Sequence, residues 1–180
     1  MHRRTVECQG YLRDDGLWEI EARLVDTKPF AMQDRFRGSM QAGDPIHEIC
    51  LRLAIDDEMT IREAETSMLA TPYPTCIHVQ PLLARLVGEK IGKGWREVVR
   101  QKIGRLEGCT HLSELLATAA TALFQTMSYG KSPDGGDSLD SRTGLTERPY
   151  FVNGCYSWRT DGPIVAEIFP QFATKPKANR

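Results

Sequence analysis

Apolar and polar side chains alternate along the early part of this chain and then change period. Trp18, Ile20, Ala22 and Leu24 are separated by Glu19, Glu21 and Arg23. A period of two predicts a strand with one buried face. Thr5 to Tyr11 reads as a strand before it, and Arg13-Asp14-Asp15-Gly16 as the turn that joins the two into a hairpin. Residues 26 to 46 carry Lys28-Pro29, Arg37-Gly38 and Gly43-Asp44-Pro45 and read as loop. From His47 the alternation returns. Ile49, Leu51, Leu53 and Ile55 point one way and Glu48, Cys50, Arg52 and Ala54 the other. Asp56-Asp57-Glu58 turns the chain, and Met59 to Ser67 returns as the antiparallel partner.

After Thr71-Pro72-Tyr73-Pro74-Thr75 the period becomes helical. Val79, Leu82, Leu83 and Leu86 predict a first helix that starts near Pro81 and stops at Gly88. Gly94 to Ile103, with Trp95, Val98 and Val99, predicts a second. Leu112, Leu115, Leu116, Ala119, Ala120, Leu123 and Met127 form the stripe of a third, with Thr110 as its N-cap and Glu114 near its positive end. Residues 129–149 read as a mobile, turn-rich loop. Tyr150 to Trp158 and Ile164 to Phe169 read as a last hairpin, followed by a frayed tail from Thr174. The pattern thus predicts an α+β fold: a mainly antiparallel sheet with three helices on one face, extended by N- and C-terminal hairpins. The whole reads as one domain, with a hairpin and loop over 1–42, a core over 43–128, the loop, and a hairpin over 150–173.

Composition narrows the function classes. A net charge of -1 gives no electrostatic footprint for nucleic acid or an acidic membrane. No apolar run is long enough to span a bilayer, and the first residues lack the apolar segment of a secretion signal. Five cysteines, an odd number at wide spacings, fit reduced thiols in a cytoplasmic protein rather than a disulfide framework. Cys8, Cys50 and Cys155 are assigned to sheet packing. No Walker phosphate loop and no Gly-x-Ser-x-Gly elbow is present.

His47, Cys76 and Cys109 each stand where an element begins, and the strand and helix directions bring all three to one end of the fold. An imidazole and two sulfurs there point to a zinc or iron site, with His111 or an acidic side chain as a further ligand. His78, Asp44 and Glu48 are lesser candidates. A second class of function uses Cys109 as a nucleophile or thiol carrier. It precedes a long helix, where free N–H groups favour an anion, and His111 or His47 can serve as its base. The third class is an interaction module without chemistry, binding a protein partner through its loop or hairpins.

Segment 43–128 also resembles the NifU/IscU-type iron–sulfur scaffold domain. The resemblance runs through the hairpin from His47, then Cys76, Leu-Val-Gly-Glu-Lys-Ile-Gly at 86–92, and Gly108-Cys109-Thr110-His111-Leu112. It implies an antiparallel sheet backed by helices and matches Cys76 and Cys109 to the family's second and third cysteines. His47 replaces the first, Ile49 the aspartate that follows it, and Gly108 the histidine before the third. The chain as a whole, including Glu7-Cys8-Gln9-Gly10-Tyr11 and Asp14-Gly16-Leu17-Trp18, resembles a bacterial family of unknown function, DUF2889, which implies no activity.

Overall fold

A computed structural model describes residues 1–128, 145–149 and 151–175. The chain divides into two compact units, Met1–Ser128 and Tyr129–Arg180.

The first unit is a four-stranded antiparallel sheet under helices. Its strands are β1 (Arg3–Leu12), β2 (Trp18–Thr27), β5 (Pro45–Ile55) and β6 (Ile61–Ala70), paired in the order β1-β2-β5-β6. Both expected hairpins are present. Within the segment expected as loop, β3 (Met32–Asp34) and β4 (Gly38–Met40) form a small hairpin of their own. The Arg37 guanidinium ties it to the start of β5 through the Pro45 carbonyl, 2.7 Å away.

One face of the sheet makes the core. Trp18, Ile20, Ala22 and Leu24 of β2 and Ile49, Leu51, Leu53 and Ile55 of β5 are all buried there. Helix α2 (Thr110–Ser128) lies on that face with the stripe Leu112, Leu115, Leu116, Ala119, Ala120 and Leu123 inward. Gly10 of β1 makes room for it: a Cβ there would lie 1.9 Å from Thr126 Oγ1. Helix α1 (Trp95–Ile103) packs through Trp95, Val99 and Ile103, and the Trp95 indole N–H donates to the Leu116 carbonyl of α2 at 3.2 Å. The opposite face is polar. On it Arg52 is bridged to Glu19, Glu63 and Glu65.

Two expectations are corrected. The segment Pro74–Leu86 is a 3-10 helix rather than an α-helix. Pro81 within it has no N–H to close an i→i−4 bond, and its ring would strike the carbonyl of residue 77. The C-terminal hairpin is absent from the described residues; Pro163–Ile168 is instead the short helix α3. Pro163 suits a first helical position, and Val165 and Phe169 sit four apart, so both face a small core completed by Val152. A short run of β-branched residues fits either period, and here the helical one wins. Cys155 is accordingly exposed rather than packed in a sheet.

The expected loop over 129–149 lies mostly outside the described residues, as does most of the expected tail. Among the described residues, no helix is long and apolar enough to cross a membrane.

Candidate functional site

The apolar stripe of each central strand ends in a polar residue of the same phase. On β2 the sequence Trp18, Ile20, Ala22, Leu24 continues to Asp26, which is fully buried. On β5 the stripe begins one step before Ile49, at His47. These two residues are register partners, and Arg4 of β1 is the partner of Asp26 on its other side. Arg4, Asp26 and His47 therefore form one row across three strands, on the face that α2 covers. The β2–β5 ladder is irregular just beyond this row, between Asp26 and Thr27. Such a bulge re-aims side chains at a sheet end.

Helix α2 closes the row from above with its first turn. His111 stacks on His47, with ring centroids 3.9 Å apart and planes at 33°. Its Nε2 lies 3.5 Å from Asp26 Oδ2, and its Nδ1 lies 3.9 Å from Cys109 Sγ. One turn on, Glu114 receives the Arg4 guanidinium at 2.6 Å. Asp26 also accepts two bonds from Arg4, each 2.8 Å, and has His2 Nε2 and His47 Nδ1 each at 3.0 Å. Three of the four histidines in the chain thus surround one carboxylate.

A buried carboxylate without partners would hold its proton more tightly. Burial does push Asp26 that way, but the hydrogen bonds and charges of Arg4 and His2 outweigh it and bring its pKa down to about 2. Asp26 is an anion at every ordinary pH. Burial lowers the pKa of His47, helped by the charge of a protonated His111 and opposed by Asp26. His111 is lowered by burial and by Arg4, again against the pull of Asp26. Both rings are therefore neutral near pH 7, each with one bare nitrogen.

Of the residues expected to meet, His47 and His111 are in direct contact, and Cys109 adjoins them through the His111 ring. Cys109 is the N-cap of α2, its carbonyl accepting from the Ser113 N–H at 3.0 Å. Cys76 opens the 3-10 helix, bonded through its own N–H to the Tyr73 carbonyl, and its side chain packs at the margin of the core. Among the described residues, one group of His, Cys, Asp and Glu places three ligand atoms within 4.8 Å of one another: Asp26, His47 and His111. Neither cysteine belongs to it. His78 is exposed. Asp44 caps a turn through the Gln41 N–H, and Glu48 pairs with Arg23 on the polar face.

Asp26 is the central residue that sequence reasoning passes over. The signal is the unbroken period of two from Trp18, which reaches Asp26 when carried one step past Leu24. Gly108, just before Cys109, has no room for a side chain. A Cβ at this position would stand 1.5 Å from the Ile103 carbonyl oxygen, so no histidine fits there.

Comparison with curated proteins and with solved structures finds no match to this chain. A family model, described as a protein of unknown function (DUF2889), matches residues 2–125, a span that holds every residue of the cluster from His2 to Glu114. By that match over most of its length, the chain belongs to the DUF2889 family.

Proposed function

We propose that this protein performs thiol chemistry at Cys109, as a nucleophile or group carrier, with His111 as its base and Asp26 holding the ring. The observation that carries the reading is the placement of His111, which turns one nitrogen to the Cys109 sulfur and the other to a buried carboxylate. With the proton on Nε2, facing Asp26, the Nδ1 lone pair is left for the thiol. The Cys109 proton passes to Nδ1, and the imidazolium so formed lies against a permanent anion. This is the division of labour of a nucleophile, a base and an orienting acid. The two distances are longer than working hydrogen bonds, as is common before a substrate tightens a site. A thiolate so activated can attack a thioester carbonyl or the outer sulfur of a donor persulfide, the donor thiol leaving with the proton from His111.

The iron–sulfur scaffold reading finds less support in the same residues. It needs a cysteine where the chain has His47, and a side chain where Gly108 has room for none.

The test is alkylation of all five cysteines at neutral pH in the presence of a metal chelator, followed by peptide mapping. Cys109 is expected to react faster than the exposed Cys155. His111→Gln is expected to slow Cys109 by roughly tenfold or more while leaving Cys155 unchanged. Equal rates at Cys109 and Cys155, or a Cys109 rate indifferent to His111→Gln, would remove the reading.

A further inference from the structure

An ionised carboxylate offers about four lone-pair positions, and the neighbours of Asp26 ask for more. Oδ1 accepts from Arg4 Nε at 2.8 Å and faces His2 Nε2 at 3.0 Å. Oδ2 accepts from Arg4 Nη2 at 2.8 Å and faces both His47 Nδ1, at 3.0 Å, and His111 Nε2, at 3.5 Å. One lone pair is thus left for two imidazole nitrogens on stacked rings. If both nitrogens carry protons, two hydrogens crowd one acceptor. If one is bare, its lone pair points at another lone pair. A cation seated among the three atoms removes the conflict by accepting electrons from each.

The spacing agrees. Zinc binds nitrogen and carboxylate oxygen at roughly 2.0–2.2 Å, so two ligands at a tetrahedral angle lie about 3.3–3.6 Å apart. The carboxylate oxygen stands 3.0 and 3.5 Å from the two nitrogens, and one ligand atom from each of the three residues lies within 4.8 Å of the others. From this geometry we propose that Asp26 Oδ2, His47 Nδ1 and His111 Nε2 bind one divalent transition-metal ion, with a coordination position left open. Two imidazoles and one carboxylate favour zinc or iron(II) over magnesium or calcium. Arg4 brings a positive charge close to this ion, but it occupies the outer lone pairs and shares its charge with Glu114. There it serves as the outer partner that fixes a ligating carboxylate.

Cys109 is not a ligand. A metal on His111 Nε2 puts the ring proton on Nδ1, facing the sulfur, so loading turns the base of Cys109 into a hydrogen-bond donor. Metal and thiol chemistry claim the same ring, yet they separate by experiment.

The protein, purified without an affinity tag and stripped with a chelator, is titrated with zinc by calorimetry and with cobalt(II) by absorption. Wild type and Cys109→Ser are expected to bind one equivalent of zinc. Asp26→Asn and His47→Gln are each expected to lose affinity by at least about tenfold. Near-ultraviolet circular dichroism checks that each variant is folded. The cobalt spectrum is expected to lack a sulfur-to-metal charge-transfer band. No zinc binding by wild type, or equal binding by wild type and folded His47→Gln, overturns the site. A thiolate band overturns its ligand set. His47→Gln leaves the alkylation of Cys109 in place while removing the metal, and Cys109→Ser does the reverse, so each reading can fail alone.

Discussion

Replacing Asp26 with asparagine keeps the shape of the side chain and removes its charge, which makes it the sharpest probe of the cluster. The folded carboxyl titrates at about 2, against an ordinary value of 3.8. A difference of that size corresponds to about 2 kcal/mol of stability at neutral pH. The side chain is 1% exposed, so solvent does little to screen it. Arg4 is 34% exposed and keeps Glu114, so stranding it adds little. Asp26→Asn should therefore unfold about 2 to 3 kcal/mol more easily at pH 7. The sign of the pH dependence follows from a folded value below the unfolded one. The contribution is fully present above the unfolded value and is lost as pH falls toward about 2. At pH 3 about half of the gap between wild type and variant should be gone. Urea denaturation of both proteins at pH 7, 5 and 3 measures this directly. A gap below about 0.5 kcal/mol at pH 7, or one that stays constant down to pH 3, would refute the account of Asp26 as a buried anion held by its neighbours.

Other residues give further tests. His47 and His111 have folded values below their ordinary 6.5, so the unfolded chain takes up their protons first. Stability should fall as pH drops from 7 toward 5, and His47→Gln should flatten that slope in the same denaturation series. Gly10→Ala would drive a methyl group into Thr126, which should cost about 1–3 kcal/mol in thermal unfolding, with most of it recovered on adding Thr126→Ala. Gly108→Ala would push against the Ile103 carbonyl and shift the residue after it, so it should slow alkylation of Cys109 as well as lower the melting temperature.

Much of the first unit is legible from pattern because its physics is local to each strand or helix. A strand with one wet face must alternate, so β2 and β5 announce themselves through Trp18 to Leu24 and Ile49 to Ile55. A helix on a sheet needs a stripe, so α2 does the same through Leu112 to Leu123. Where local signals compete, pattern fails. Pro81 sits inside an apolar spacing that would otherwise be an α-helix. Val165 and Phe169 belong to a run too short for its period to be read before its burial is known.

Which residues face inward, and where the elements begin, can be read along the chain, because alternation and capping are properties of neighbouring residues. The sequence also marked His47, Cys109 and His111 as chemically active types at element starts. What surrounds them is set by how strands and helix pack together. The register of β1, β2 and β5 sets Arg4, Asp26 and His47 in one row, and the first turn of α2 lays His111, with Glu114 a turn on, across it. A charged aspartate at the end of an apolar stripe looks like a strand end when it is read alone. It becomes the centre of a site because residues from three other elements supply the bonds that let its charge be buried.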